Sequence, residues 1–308
     1  MKKITTLLLV LLCCLGLSAQ NDTVISLVTC YPGPEVYQLE GHTALRITLK
    51  GHNGQPDADL AANYGLFDFA APNFLYRFVK GETDYCVGAE PWDLFLANYN
   101  ARGRRVEEQV LNLTQPEKHR LIELLKVNLL PENRVYRYNY VKDNCATRPL
   151  AIIEAALDDS VSLSLTEFDA QSLPYTFRDV MRHYHRNYPW YQFGIDLALG
   201  SGIDYVLDPS ELAFAPVLLE QQLDGARVGN RLLAQPPVPL NGFDAYAAVE
   251  GPTPWYLTPL AVCTLVFVLL VIATVRDQRR RRVTRWVDAL YFGIEGIAGL
   301  LLTFLIFV

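Results

Sequence analysis

The sequence predicts an α+β fold that is followed by membrane-spanning helices. Short runs that alternate apolar and polar residues, at 24–29 and 43–49, predict strands. A capped helical pattern from Thr114 lies between later strands. Two long apolar runs end the chain, and 51% of its 308 residues are hydrophobic. That apolar content is higher than an ordinary soluble domain has, which supports the membrane helices.

The first 19 residues have the features of a secretory signal. Lys2 and Lys3 precede a short apolar run at 4–17, and "LSA" ending at Ala19 is a suitable cleavage site. Leucine or cysteine precedes each cysteine of this run, where a lipoprotein signal requires a small residue. The run is shorter than the ~20 residues of a membrane span, and retention as an N-terminal anchor is the alternative. We predict that residues 1–19 are a signal peptide and that the chain is exported.

Export places the mature cysteines in an oxidising compartment. They are Cys30, Cys86, Cys145 and Cys263, and Cys263 lies in an apolar run. The three others leave at least one free thiol or an intermolecular bridge, because their number is odd. A Cys30–Cys86 disulfide with Cys145 free is one arrangement that the sequence allows.

The charge pattern excludes one class of partner. The formal net charge is -6, and the clustered arginines lie between the two C-terminal apolar runs. The exported part has no basic patch, so we expect no nucleic-acid partner.

The exported part is predicted to begin with strands. The runs "VISLVT" and "TALRITL" are joined by the turn-rich loop "YPGPEV". The loop "GHNGQPDAD" precedes a third strand, "NYGLFDF". A helical turn, a strand with Tyr85 and Cys86, and a strand at 106–111 follow.

The clearest helix is "TQPEKHRLIELLKVNLL", in which Thr114 and Glu117 form a capping box. "NRVYRYNY" alternates and predicts a strand, and "LAIIEAAL" predicts a helix. From Phe177 to Leu223 the pattern is mostly helical, and "AQPPVPLNGF" is predicted to be a linker. The long helical stretch is interpreted either as ordinary core or as a surface that holds acyl chains.

The C-terminal region is predicted to cross the membrane twice. Trp255 and Tyr256 introduce the first apolar run, "RDQRRRRVTR" follows it, and a second run begins at Trp286. Aromatic residues at the entry and arginines at the exit predict that the arginine loop faces the cytoplasm. Two buried core helices are the alternative.

The chain is predicted to divide into a catalytic domain at 20–158, a helical extension that packs on it at 159–235, a linker at 236–254, spans at 255–275 and 286–308, and a basic cytoplasmic loop at 276–285.

Two residues of the exported part have the chemistry of a nucleophile and its base. Cys145 follows two good N-capping residues, and a thiol in the first turn of a helix has a lowered pKa. Pro149 leaves two positions for the start of that helix, at Asn144 or at Pro149 itself. Among five histidines, His42 is distinctive because it follows Gly41 at the start of a strand. An inert buried thiol is the alternative for Cys145.

Several motifs resemble known families. "HTALRI", "ANYGLFDF" and "DNCATRP" resemble the circularly permuted NlpC-type, papain-like thiol enzymes, in which the histidine strand precedes the cysteine helix. "TCYPGPEVYQLEGHTALRI", "PENRVYRYNYVKDNCATRP" and "FGIDLALG" resemble the Bacteroides-type lipoprotein N-acyltransferases over about 24–223. The resemblance implies a permuted papain-like domain with an antiparallel sheet and a cysteine-bearing helix, followed by a helical segment and transmembrane helices.

The resemblance also implies roles for individual residues. Cys145 takes the place of the nucleophile and His42 that of the base. Asn63 is the best match for the group that orients the histidine, and Asp68 is the second; distant relatives often have a second histidine there. Asn63 as a strand-end residue that satisfies backbone groups is the alternative. Further candidates, for substrate binding, are Arg134, Arg137, Arg148, Asn144 and Tyr64; for the arginines, internal ion pairs or surface solvation are the alternative.

The implied activity is acyl transfer at a membrane. A fatty acyl chain would move from a phospholipid through a Cys145 thioester to the α-amine of a diacylglyceryl-cysteine lipoprotein, with no cofactor. The implied location is the inner membrane, with the catalytic domain in the periplasm. A papain-like peptidase, amidase or lipid hydrolase that uses the same two residues is the first alternative, and a non-catalytic membrane scaffold is the second.

Overall fold

The computed structural model describes residues 23–50, 56–68, 70–79, 82–158, 162–168 and 176–307. The predicted signal peptide therefore lies outside the described residues. The described residues form two compact units, one within 23–177 and 206–249 and one within 178–205 and 250–307. The predicted helical extension at 159–235 is thus divided between the units.

The first unit is built on a seven-stranded antiparallel sheet, which confirms the α+β prediction. The strand order is β10-β5-β1-β2-β3-β4-β6. The strands are β1 Thr23–Cys30, β2 His42–Lys50, β3 Pro56–Leu66, β4 Asp84–Pro91, β5 Val106–Val110, β6 Val135–Arg137 and β10 Val238–Pro239. Three two-residue strands form a small second sheet: β7 Leu163–Ser164, β8 Arg227–Val228 and β9 Arg231–Leu232.

Ten helices lie in the described residues. In the first unit they are α1 Phe74–Val79, α2 Trp92–Ala101, α3 Gln115–Leu129, α4 Thr147–Ala156, α7 Pro209–Leu212 and α8 Pro216–Leu223. α5 is Phe177–Tyr184, α6 is Pro189–Ala198, α9 is Pro259–Arg280 and α10 is Arg285–Phe307. The predicted capping box of α3 is present, because Thr114 N donates to Glu117 Oε2 at 2.6 Å.

Helices cover both faces of the main sheet. Leu45 and Ile47 of β2 pack in the main core, which also contains Leu121 of α3 and Ile153 of α4. On the other face, Ala44 packs in a smaller cluster with Phe95 of α2. The period-two alternation of the strands thus becomes two separate apolar layers.

Two predictions about the sheet are wrong. The third strand begins at Pro56, inside the predicted loop, because Arg46 of β2 pairs with Asp59 at 2.6 Å and extends the ladder. The predicted linker is not a free segment. Its Val238 and Pro239 pair with β5, and Leu240 N donates to Val106 O at 2.9 Å. Proline is tolerated there because β10 is an edge strand.

The sheet order excludes the Cys30–Cys86 disulfide. Cys30 lies on β1 and Cys86 on β4, with β2 and β3 between them. Three strand spacings amount to about 14 Å, whereas a disulfide joins Cα atoms that are less than about 7 Å apart. Both cysteines are free thiols in the structure.

The second unit contains both predicted apolar helices. α9 and α10 are long and apolar enough to cross a membrane. α9 continues to Arg280, five residues beyond the predicted end, so the connection between the two helices is 281–284. The first three arginines of the predicted basic loop, Arg276, Arg279 and Arg280, therefore lie in the helix.

Candidate active site

The sheet brings the predicted base and its predicted partner to one end. His42 is the first residue of β2, and Asn63 lies near the end of β3. The two strands are antiparallel, and Ala44 pairs with Asn63, so both side chains lie at the same edge of the ladder. His42 Nε2 lies 2.8 Å from Asn63 Oδ1. The predicted histidine–asparagine pair is thus present.

Gly41 is required for the position of His42. Its φ is 90°, a region that residues with a Cβ rarely adopt. A Cβ on Gly41 would also lie 2.6 Å from the carbonyl oxygen of Cys30. The chain therefore enters β2 through a conformation that only glycine allows, directly before the histidine.

The carboxylate of Glu90 fixes the orientation of the Asn63 side chain. Asn63 Nδ2 donates to Glu90 Oε1 at 2.6 Å, so Asn63 Oδ1 is the atom that faces the imidazole. Because an amide oxygen only accepts hydrogen bonds, His42 Nε2 must carry the proton in this pair. Nδ1 then keeps its lone pair, and it has no hydrogen-bond partner in the described residues. The geometry holds His42 in the tautomer of a base.

Cys145 lies in the turn that leads into α4, beside the same strand end. A Cβ built on Gly65 would lie 3.5 Å from Cys145 Cβ, and the φ of Gly65 is 84°. The missing side chain lets the end of β3 approach the cysteine closely. The backbone N–H of Thr43, next to His42, acts on the Cys145 thiol and opposes the rise of its pKa.

The thiol is not activated in the way that the sequence predicts. Burial raises the pKa of Cys145 to about 11, although the backbone N–H groups of Thr43 and Cys145 act against this rise. Burial also lowers the pKa of His42 to about 4, while the hydrogen bond to Asn63 acts against it. No hydrogen bond joins the two side chains in the described residues. The predicted lowering of the Cys145 pKa is therefore wrong, because burial outweighs the helix dipole.

The start of the cysteine helix lies between the two predicted positions. α4 begins at Thr147, with Pro149 in its first turn. Arg148 N donates to Asn144 O at 3.3 Å, which extends a helical turn back to Asn144. Cys145 thus precedes the first residue of the helix instead of lying inside its first turn.

The side chain of Asn144, a predicted substrate ligand, is bonded to the backbone on all sides. Its Oδ1 accepts from the N–H groups of Ala146 and Thr147, at 2.8 and 3.0 Å. Its Nδ2 donates to the carbonyl oxygens of Tyr140 and Phe214, both at 2.9 Å. The whole amide is used to hold the cysteine turn.

Two other predicted residues make contacts outside the His42–Asn63 pair. Tyr64 is fully buried in the core, and its hydroxyl accepts from Asn128 Nδ2 at 3.0 Å. Asp68 is exposed and accepts from Ala70 N at 2.8 Å. Asp68 therefore closes a turn, and Asn63 is the residue that contacts His42.

The three predicted phosphate ligands differ in their surroundings. Arg148 forms two hydrogen bonds to Asp143, at 2.5 and 2.8 Å, and Arg137 pairs with Asp84 at 3.1 Å. The ion-pair alternative thus describes both residues. Arg134 is partly exposed and has no ion pair in the described part of the chain.

Two functional candidates were missed at the level of sequence. Glu90 lies 27 positions after Asn63, and only the β3–β4 register reveals their contact. Arg104 is 2% exposed, its guanidinium lies 4.8 Å from the ring centre of Tyr99, and its Nε donates to Tyr31 O at 2.8 Å. Its Nη2 is buried and has no hydrogen bond within the described residues. The Tyr99 ring in turn stacks on His42 at 6.5 Å. Arg104 thus places a buried positive charge near the site, and no local pattern in "ARGRRV" marks it.

Comparison with known families gives two matches. Residues 17–183 match the Lnb N-terminal periplasmic domain, and residues 252–308 match the Lnb transmembrane domain. The first match alone covers more than half of the chain. No curated protein and no solved structure matches. The two matches show a membrane protein with a periplasmic domain.

Proposed function

We propose that this chain, which belongs to the Lnb family of Bacteroides-type lipoprotein N-acyltransferases, transfers a fatty acyl chain through Cys145. The donor is a membrane phospholipid, and the acceptor is the free α-amine of a diacylglyceryl-cysteine lipoprotein. The observation that carries the proposal is the hydrogen bond from His42 Nε2 to Asn63 Oδ1, 2.8 Å long, at the strand end beside Cys145. It leaves Nδ1 as the base in a domain of this family.

In the first step His42 removes the proton of the Cys145 thiol as the sulfur attacks an ester carbonyl of the phospholipid. The thiol and the imidazole are both neutral at rest, so proton transfer accompanies the attack. The backbone N–H groups of Cys145 and Thr43 are proposed to stabilise the tetrahedral oxyanion. The ester C–O bond then breaks, the lysophospholipid alcohol takes the proton from His42, and Cys145 holds a thioester.

In the second step the lipoprotein amine attacks the thioester carbonyl. His42 accepts a proton from the attacking amine, the C–S bond breaks, and the proton returns to the sulfur. The products are an amide-linked acyl chain and the free thiol of Cys145. Asn63 stabilises the imidazolium in both steps, because its Oδ1 accepts from Nε2.

The proposed location at the inner membrane fits this pair of lipid substrates. We propose that α9 and α10 span the inner membrane, that the catalytic domain lies in the periplasm, and that the connection at 281–284 faces the cytoplasm. Both substrates would then lie at the membrane surface from which the catalytic domain projects. Arg134, which has no ion pair among the described residues, is the proposed contact for the phospholipid phosphate.

A transfer assay with matched acceptors tests the proposal. The full chain is reconstituted with a phospholipid that carries a labelled acyl chain and is given a diacylglyceryl lipopeptide with either a free or an acetylated α-amine. We expect label on the free-amine lipopeptide only, and none with Cys145→Ala. Release of labelled fatty acid without an N-acyl product would instead indicate a lipid hydrolase, and cleavage of added peptides a peptidase.

A further inference from the structure

Helix α6 has an unusual distribution of polar and apolar side chains. Trp190, Phe193 and Leu197 are 47%, 42% and 50% exposed, and no residue of the helix is buried. Their spacing of three and four residues places them on one face. The helix therefore turns a continuous stripe of large apolar side chains outward.

The polar side chains of α6 are turned toward the protein instead. Asp196 forms ion pairs with Arg178 and Arg182 of α5, at 2.8 and 3.1 Å. Gln192 bonds to His185 Nδ1 at 2.7 Å and to Asp196 Oδ1 at 2.9 Å. In a surface helix of a soluble protein, the apolar face is the one that packs against the core. The most exposed face of α6 is thus apolar, while its polar side chains bond to α5 and the turn that follows it.

The same unit shows what surrounds the outward face. Trp190 Nε1 donates to Leu257 O at 2.7 Å, two residues before the first apolar helix begins at Pro259. Asn187 Nδ2 donates to Glu250 O at 2.7 Å, and Thr253 Oγ1 donates to Asn187 O at 2.9 Å. These bonds attach the start of α6 to the segment that enters the membrane. Both α9 and α10 also contact α6.

The entry segment has the composition of a membrane interface. Trp255, Tyr256 and Leu257 are 79%, 58% and 50% exposed. Tryptophan and tyrosine are enriched where a span meets the headgroups, because their rings are apolar and their tips are polar. The exposed stripe of α6 continues this aromatic layer. The hydrogen bond from Trp190 to Leu257 O joins the stripe to the entry segment.

We infer that α6 is an interfacial helix whose Trp190–Phe193–Leu197 face lies in the headgroup and upper acyl region of the phospholipid bilayer. Its ion-paired polar face remains on the protein side. The role is independent of the acyl-transfer proposal, since it depends only on the second unit. A contiguous exposed apolar face marks a binding surface. Because this face adjoins the beginning of a predicted span, we assign the bilayer as its partner.

Photocrosslinking from the exposed stripe tests the inference. Benzoylphenylalanine replaces Phe193 or Leu197 in the full chain, and replaces Val127 on α3, which is 49% exposed, as the matched control. The proteins are placed in nanodiscs of phosphatidylethanolamine and phosphatidylglycerol, irradiated and analysed by mass spectrometry. Trp190 stays unchanged, so its bond to Leu257 is kept.

We expect phospholipid adducts at positions 193 and 197, about tenfold more abundant than at position 127. Adducts to a second copy of the chain would overturn the inference in favour of a protein interface. Equal lipid adducts at all three positions, or none at any, would also overturn it. Each labelled chain is compared with the unlabelled chain for thermal denaturation, and because all three positions are exposed, no loss of folding is expected.

Discussion

At the residue scale, the site is defined by two hydrogen bonds that end on one imidazole. Glu90 holds the Asn63 amide, and Asn63 holds His42 Nε2, at 2.6 and 2.8 Å. The three residues lie on three neighbouring strands, β4, β3 and β2. The sheet itself therefore sets which nitrogen of His42 carries the proton.

Substitution of the orienting residues should affect catalysis in a graded way. Asn63→Ala leaves the imidazole N–H without its acceptor and is expected to lower kcat/KM for acyl transfer by about a hundredfold. Glu90→Gln keeps a side-chain oxygen for Asn63 Nδ2 and should retain most of the activity, whereas Glu90→Leu should lose about tenfold. Activity of Asn63→Ala within about twofold of wild type would contradict the assignment of Asn63.

The resting thiol should react slowly at neutral pH. Because burial raises the pKa of Cys145 to about 11, the thiolate fraction should increase about tenfold with each pH unit below that value. Alkylation of Cys145 by iodoacetamide, followed by peptide mapping, should therefore accelerate steadily from about pH 7 to about pH 10. An alkylation rate that does not change with pH above neutrality would contradict this prediction, because it would show that Cys145 is already a thiolate before substrate binds.

The site residues differ in how far the sequence reveals them. Cys145 and His42 follow from short motifs, since a capped turn and a glycine-preceded strand are local features. The contact of Asn63 with His42 agrees with the family resemblance. Glu90 and Arg104 depend on strand register and burial, which no local pattern records. The direction of the Cys145 pKa was mispredicted because a sequence does not show how deeply a turn is covered.

At the element scale, α8 attaches to the sheet through a buried carboxyl group. Glu220 is 3% exposed, and its Oε1 accepts from Tyr31 O–H at 2.8 Å. Its backbone carbonyl accepts from Gln109 Nε2 of β5 at 3.1 Å. Burial raises the pKa of Glu220 to about 7, and the charge of Glu107 adds to the rise. We therefore expect the stability of the α8 packing to depend on pH.

A neutral substitute at this position should remove that sensitivity. With a folded pKa of about 7 against 4.5 unfolded, the stability that Glu220 contributes is complete below about pH 4.5 and is lost as the pH rises to about 7. Relative to wild type, Glu220→Gln should gain up to about 3 kcal/mol across this range. Thermal denaturation in detergent at both ends of the range measures the gain, and a difference that does not change with pH would contradict it.

Elements with strong local signals agree with the sequence predictions, and elements that depend on distant pairing do not. α3 has its capping box, and β1 and β2 pair with each other from Thr23–Leu49 to Cys30–His42. The segment of β10 is rich in proline, so its sequence predicts a linker. Pro239 is tolerated in the strand because β10 pairs with β5 on one side only. β3 begins early because Arg46 and Asp59 pair across the ladder, a contact between residues 13 positions apart.

At the scale of the whole molecule, the chain joins a periplasmic domain to two helices that are long and apolar enough to cross a membrane. The two family matches fall on these two regions. In the proposed reaction both the acyl donor and the acceptor are lipids of the same membrane, and the spans keep the catalytic domain at its surface. The central claim is that this domain carries the acyl chain covalently on Cys145 between the two substrates.

Intact mass spectrometry of the full chain after incubation with phospholipid tests this claim most directly. We expect a wild-type mass increase equal to one fatty acyl chain, mapped to Cys145, absent from Cys145→Ala, and removed by hydroxylamine or by a diacylglyceryl lipopeptide. Cys86→Ala, which removes another partly exposed thiol, should keep the adduct. An adduct that persists in Cys145→Ala, or transfer of the acyl chain without any adduct on Cys145, would contradict the thioester mechanism.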